Sequence, residues 1–387
     1  MFGFDEIFND FSCNYLHEII NLRRHLHQNP ELSFKEKETS SFIFDYLKNC
    51  GLQPLTYSDC YAVTCFLDNN CDKTIAFRAD IDALPIKEAT NLPYSSKNDG
   101  VMHACGHDCH TAIMLGLAKF AALNKVNLKH NLLFIFQHAE EINPGGAKLL
   151  VDNGLLNDEN ISAVIGLHLS PELPVGTIGL HSGPFMASSD EVRAVVIGKG
   201  GHAAKPKEVV NPIIPAMKFI EQCSNLTDID ADCPKLVAFG RFIAAGTTNV
   251  IPDEVNIAGT VRIFDEKDRT MLHEIMEKIA KNIEQDFKVQ VSLNIDKGYP
   301  VLVNDADMVN VVRNIASEAI GKENVINVPI RTTSDDFAYY SRVKSVCYFR
   351  LGCGDGDLSQ KVHSATFSPD EGCISTALKV LSYLILK

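Results

Sequence analysis

The stretch MHACGHDCH, residues 102–110, places three histidines and two cysteines within nine residues. Cys105 and His107 stand two apart. On an extended or turning backbone both can face one point, and a thiolate beside an imidazole suits Zn²⁺ or another borderline cation. Read locally, the same pair also fits a core thiol next to a helix-start histidine. Other residues shift that balance. In QHAEE, Glu140 and Glu141 follow an apolar run that reads as a buried strand. Burying two adjacent carboxylates without a cation is costly, whereas in solvent they would form an ordinary acidic turn. His168 sits in the apolar stretch AVIGLHLS, where a lone histidine is usually a satisfied core residue, and His363 sits in the loop KVHSATFSPDE. Asp80 and Asp82, two apart after the β-rich run KTIAFRA, share one side of an extended strand end; an Asx-type turn before Pro85 is the competing reading.

These residue types point to metal-assisted chemistry. A cysteine near histidines could instead be a nucleophile. That chemistry does not call for a carboxylate pair and two distant histidines. A metal-storage protein would need the ligands but not a spare carboxylate able to act as a base.

The elements that must position these groups follow from periodicity. Residues 5–27 and 35–49 predict helices around the turn QNPELS, and 110–124 a helix after the cysteine cluster. Strands are expected at 73–79, 131–137 and 163–170, with a helix over GGAKLLVDNGLL. This alternation implies an α/β sheet covered on both faces, with functional groups at strand ends. Near residue 184 the pattern changes. Strands at 191–200, 235–247, 254–265 and around VQVSLNID, with helices at 212–225 and 266–286, give the strand–helix–strand–strand–helix–strand order of a small ferredoxin-like α+β domain. Signals of the first kind resume at 305–320, 344–351 and 371–386. The expected organisation is one domain of residues 1–183 and 299–387 interrupted by a second of residues 184–298. A chain of 387 residues, 45% hydrophobic, suits two cores.

Composition excludes several classes. The net charge of −13 and the lack of a Lys/Arg cluster speak against a nucleic-acid or anionic-membrane partner. Runs such as LLFIF and VLSYLIL are too short to span a bilayer. The first residues have acids early and no basic-then-apolar order, so no export signal is expected. The twelve cysteines are scattered, which favours reduced thiols in a cytoplasm.

At RRHLHQNPELSF, FRADIDALPI, MHACGHDCHTA, FQHAEE, GLHLSPELPVGTI, GKGGHAAKP, TTNVIPDEVNIAGTVR, SDDFAYY and HSATFSPDE, in order along almost the whole chain, the sequence resembles the M20 metallopeptidase family. The resemblance is to its amidohydrolase branch of hippurate hydrolases, N-acetyldiaminopimelate deacetylases and auxin-conjugate hydrolases. It implies a zinc-peptidase-like α/β catalytic domain with an inserted lid or dimerisation domain. It also implies two divalent metal ions (Zn, Mn, Co or Ni), with Cys105 bridging and His107, Glu141, His168 and His363 completing the set. Glu140 matches the general base, and an acidic residue at Asp80 or Asp82 supports the site; the sequence does not choose between them. His202 matches a donor to the carbonyl oxygen as charge develops there. Asn249 and Arg262 suit the carboxylate of an amino-acid product. The implied reaction is hydrolysis of an N-acyl amino acid to a carboxylate and a free amino acid, with a dipeptidase as the alternative. The implied assembly is a homodimer through the inserted domain. His103 and His110 are not ligands in this pattern, and Cys109 reads as a structural thiol. The chain departs from the family at QHAEEINPGGA, where His138 stands in place of Pro; a partly exposed loop histidine is expected.

Overall fold

Runs rich in β-branched, aromatic and leucine side chains become strands here where both faces are covered, and charged helices flank them. The computed structural model describes residues 3–231, 233–354 and 361–387. The chain divides into two units.

The first unit runs to Gly183 and takes up Val303–Pro329 and Tyr339–Lys387. Its elements begin with α1 (Phe4–Gln28), α2 (Lys37–Asn49), β1 (Pro54–Thr56), β2 (Val63–Leu67) and β3 (Thr74–Asp80). They continue with α3 (His107–Leu123), β4 (Asn131–Gln137), α4 (Gly146–Asp152), β5 (Ile161–Pro174) and β6 (Ile178–Leu180). Among the described residues these strands join Val325–Asn327 and Ser345–Gly354 in an eight-stranded sheet, in the order β1, β2, β4, β3, β5, Ser345–Gly354, β6, Val325–Asn327. The centre is parallel: β3 pairs with β4 and β5, and Ser345–Gly354 with β5. Every residue of β3 and β4 is buried, which explains why NLLFIFQ is apolar without alternation. Helices α1 and α3 and the C-terminal helix Gly372–Leu386 supply Phe11, Ile19, Leu117, Phe120, Leu378 and Leu381 to the core. Against α1, the first turn of α3 is fixed by a buried ion pair: Arg23 Nε lies 2.8 Å from Asp108 Oδ2, and His27 Nδ1 lies 2.8 Å from the same oxygen.

The second unit comprises Pro184–Leu302 and Ile330–Ala338. Residues 299–302 and 330–338, expected with the larger domain, fall here instead. The cause is backbone pairing: Arg331 N–H donates to Phe185 O at 3.0 Å, and Ala187 N–H to Arg331 O and Thr333 O at 3.1 Å each. Four antiparallel strands stand in the order Lys235–Ile243, Glu254–Ile263, Asp190–Ile197, Gln290–Lys297. Helices α5 (Ile213–Ser224) and α6 (Glu266–Phe287) cover one face, burying Val192, Ala194, Val196, Phe219 and Met276. The fold is therefore an α/β domain carrying an α+β insertion of ferredoxin-like order, as the residue patterns predict. No helix among the described residues is long and apolar enough to cross a membrane.

The insertion holds a buried charge at its centre. Asp190, fully buried, accepts hydrogen bonds from Arg269 Nε at 2.9 Å, His273 Nε2 at 2.7 Å and Gly298 N at 3.2 Å. Burial alone would raise the Asp190 carboxyl; the bonds from His273 and Arg269 outweigh it and hold it below the ordinary 3.8. Its stabilisation is thus complete above that value and fades as pH falls towards the lower folded-state pKa. Asp190→Ala removes the acceptor that Arg269 and His273 share, leaving Arg269 with Glu266 and the Gly298 carbonyl. The expected cost is about 3–5 kcal/mol, read as a lowered urea midpoint. An unchanged midpoint would show that Glu266 and the Gly298 carbonyl suffice for Arg269.

Candidate metal centre

The parallel strands bring their carboxyl ends together, and the chemistry gathers there. Asp80 closes β3 opposite Gln137, which closes β4, and His168 on β5 lies opposite Arg350. Between Cys105 and His107, Gly106 takes φ +91°, and a Cβ there would meet Leu169 Cδ1 at 2.5 Å. Only glycine accommodates both the left-handed turn and that contact. The turn also starts α3 at His107 rather than at residue 110, because Cys109 N–H and His110 N–H already donate to Gly106 O.

Five candidate ligands converge. Cys105 Sγ lies 3.3 Å from His168 Nε2 and 3.3 Å from His363 Nε2. Glu141 Oε1 is 3.4 Å from His363 Nε2 and 3.9 Å from His107 Nε2. Two of the three imidazoles have Nδ1 committed, which aims their Nε2 atoms into the site. His107 Nδ1–H donates to the Asp82 carbonyl at 2.9 Å, and His168 Nδ1–H to the Leu169 carbonyl at 2.7 Å. His363 has φ +61°, with its N–H on Ala104 O at 2.7 Å.

The electrostatics ask for a cation. His107 Nε2 and Glu141 Oε1 are buried and have no hydrogen-bond partner among the described residues. Burial alone would lower His107, but Asp80, Asp82 and Glu141 outweigh it and push it up to about 10. Burial, then Glu141 and Glu140, push the Cys105 thiol well above its ordinary value. A divalent ion would reverse both effects, deprotonating the thiol and taking the place of the proton on the imidazole. Burial, then Arg350, hold His168 well below its usual range, in the neutral form that ligates. A thiolate, three imidazoles and a carboxylate therefore fit a borderline divalent ion.

Asp80, His107 and His110 also lie close enough to suggest a further cation site. Asp80 and His110 already have their side-chain atoms engaged. His110 Nδ1–H donates to Asp80 Oδ1 at 2.6 Å and its Nε2 accepts from Leu169 N–H at 3.0 Å, while Arg78 Nη1 sits 2.6 Å from Asp80 Oδ2. Asp82 touches the candidate ligands directly: its Oδ2 accepts from Glu141 N–H at 2.9 Å and from Ser33 Oγ at 2.7 Å. Asp82 thus orients His107 and Glu141, and Asp80 orients His110.

Glu140 Oε2 is 3.9 Å from His107 Nε2, as near as Glu141 Oε1. The two neighbours do not splay to opposite sides as in an extended strand. Ala139 has φ +52°, so the chain has left the strand and both carboxylates reach the same imidazole. His138 is fully buried, not a partly exposed loop residue, with its ring 5.7 Å from Phe34.

His202, Asn249 and Arg262 belong to the second unit. His202 is exposed in a two-residue strand opposite Val250, and its Nδ1 accepts from Ala204 N–H at 3.1 Å, which leaves the ring proton on Nε2. The Asn249 side chain is exposed, and the residue's backbone carbonyl accepts from Ala203 N–H at 2.9 Å. Arg262 is half-buried, and its Nη1 donates to Ser334 Oγ at 2.8 Å. Sequence reasoning does not single out Ser33 or Glu36, which bond Asp82 and the backbone of Ala139. The only signal is that Ser33 falls inside the matched stretch RRHLHQNPELSF.

Comparison with known proteins adds independent support. The profile described as peptidase family M20/M25/M40 matches residues 76–387. An N-acetyl-L-cysteine deacetylase of Bacillus subtilis is 39% identical over 363 residues, covering 93% of this chain and 85% of that protein. An N-acetyldiaminopimelate deacetylase of Lactobacillus helveticus is 32% identical over 378 residues, covering 95% of this chain and 97% of its own. The crystal structure of a Bacillus subtilis protein described as a dinuclear metal-binding peptidase of the M20 family superposes with a TM-score of 0.82 at 34% identity, over 96% of this chain and 98% of that one.

Proposed function

Because the chain belongs to peptidase family M20/M25/M40, we propose that it is a hydrolase of linear amide bonds that cleaves N-acyl amino acids to a carboxylate and a free amino acid. The observation that carries this reading is that Cys105 belongs to two candidate donor groups, with His107 and His168 and with Glu141 and His363, its Sγ 3.3 Å from Nε2 of both His168 and His363. Cys105, His107, Glu141, His168 and His363 would hold two divalent ions. When bound, these would activate a water and polarise the acyl carbonyl. Glu140 takes the proton of the attacking water on its carboxylate and passes it to the departing amine nitrogen. Asp82 keeps His107 in the tautomer that exposes Nε2, and Asp80 does the same for the packing of His110. His202 donates from Nε2–H to the acyl oxygen as negative charge grows there. Arg262 and Asn249 bind the substrate carboxylate.

The inserted domain closes over substrate and pairs with its counterpart in a homodimer. A cytoplasmic location keeps the thiols reduced, and all twelve are free. Zn²⁺, Mn²⁺, Co²⁺ and Ni²⁺ all suit the donor set, and availability selects among them.

Relatives that deacetylate N-acetylcysteine and N-acetyldiaminopimelate support a small acyl group on an amino acid with a free carboxylate. A panel of N-acetyl, N-benzoyl and dipeptide substrates, followed by detection of the released amine, tests this. N-acyl amino acids are expected to be cleaved, EDTA to abolish the rate, and added divalent ions to restore it. Cleavage of dipeptides alone would replace the proposal with a peptidase, and a rate indifferent to EDTA would remove the metals from it.

A further inference from the structure

Glu36 is among the buried carboxylates that the mechanism above does not use. Glu36, at the start of α2, is fully buried. Its Oε1 accepts the Ala139 N–H at 2.7 Å, and its Oε2 has no hydrogen-bond partner among the described residues. Ala139 lies one residue before Glu140 at φ +52°. A left-handed backbone is unfavourable for a residue with a Cβ and persists only where the surroundings enforce it. Here both polar groups of the residue are held: the N–H by Glu36, and the carbonyl by Gly146 N–H at 3.0 Å. The grip is close on the far side too. A Cβ on Gly146 would lie 1.9 Å from His138 O, so α4 abuts the turn backbone to backbone. Two residues on, Glu141 N–H is held by Asp82, which Ser33 steadies from the same loop that carries Glu36. The loop between α1 and α2 therefore grips the carboxylate turn at two points, of which Ser33 and Asp82 serve Glu141.

We propose that Glu36 is a positioning residue, whose Oε1 keeps Ala139 in the left-handed turn and thereby aims the Glu140 carboxylate at the reacting centre. The inference rests on the reading of Glu140 as the base. What matters in Glu36 is the acceptor oxygen, not the charge. Burial, then the neighbouring Asp82, raise Glu36 to about 7, so near neutrality a neutral acid of the same shape is already a normal occupant. Glutamine keeps that acceptor. Methionine fills the same space without one, and the Ala139 N–H is then left buried and unpaired.

The test compares wild type, Glu36→Gln and Glu36→Met in the metal-loaded protein. It reads metal content, kcat and KM on an N-acetyl amino acid, and hydrogen exchange at the Ala139 amide. Glu36→Gln should stay within about threefold of wild type, and Glu36→Met should lose about 10–100-fold in kcat with KM and metal content nearly unchanged, the size expected of a misaimed group. The Ala139 amide should be protected in wild type and Glu36→Gln and exposed in Glu36→Met. A folded Glu36→Met with wild-type kcat overturns the proposal, as does a Glu36→Gln as impaired as Glu36→Met. If Glu36→Met does not fold, the other two proteins decide: an unprotected Ala139 amide in wild type, or its loss of protection in Glu36→Gln, overturns it. Should wild type cleave no N-acyl amino acid, the proposed function fails by itself. The exchange pattern still judges the clamp, which stands if only Glu36→Met exposes Ala139 and falls if all three proteins protect it alike.

Discussion

Glu140→Gln is expected to keep its divalent ions and to lose about 10²–10⁴-fold in kcat, the usual contribution of a positioned general base. Glutamine preserves the shape of the side chain and its capacity to accept a hydrogen bond, but it cannot take a proton from water. The residue is 7% exposed, so solvent has little access to substitute for it. Its Oε2 lies 3.9 Å from His107 Nε2, within the group of donor atoms, yet the five ligands proposed here are complete without it. Loss of turnover should therefore separate from loss of metal, and elemental analysis beside steady-state kinetics reads both. The neighbouring Glu141→Gln gives the contrast: it removes a charged ligand, and metal content should fall along with kcat. Near-wild-type kcat in Glu140→Gln would remove Glu140 from the mechanism. Loss of an ion in that variant would make Glu140 a ligand and leave the base to be found elsewhere.

What is legible in the sequence is what works through neighbours in the chain. The buried strand Asn131–Gln137 shows as an apolar run, and the acidic pair after it marks a strand end. Cys105 and His107 are visible because two ligands of one site lie two residues apart. His168 is different: an apolar strand with one histidine reads as core, and only its place opposite Arg350, at the level where β3 ends, gives it a role. Glu36 lies 103 positions from the amide it holds, and no local pattern announces such a bond. The left-handed turn is hidden for a related reason. Positive φ is read from glycine or asparagine, and here an alanine is forced into it by groups from two other segments. Misplacing the start of α3 at residue 110 has the same origin, since the N-cap is a glycine in the left-handed conformation rather than a side-chain capping residue. His138 is buried by Phe34 from a distant loop, which its own surroundings in the sequence do not reveal.

Cys105→Ala should lower occupancy by both ions at once. A terminal ligand serves one ion, and its removal leaves the other in place. Cys105 is common to two candidate donor groups, one with His107 and His168 and one with Glu141 and His363, so on the proposed reading it would serve both ions. Burial and the surrounding carboxylates push the Cys105 thiol well up, so a thiolate there would need bound cations to stabilise it and would in turn offset their charge. On that reading, removing it would take a ligand from each ion and leave the two cations without a shared anion. Loss of a supporting contact to a ligand already costs about 10–100-fold in affinity, and loss of a shared ligand should cost at least the upper end of that range for each ion. Elemental analysis of protein purified without chelator measures the occupancy. Melting temperature with and without added metal gives a second reading, because ligand binding to the folded state stabilises in proportion to RT ln(1 + [L]/Kd). The wild type should gain thermal stability at low metal concentration, and the variant should need about 100-fold more. Loss of one ion alone would make Cys105 a terminal ligand. Full occupancy with activity abolished would make it a nucleophile, and the two-ion reading would then have to find its bridge among the carboxylates.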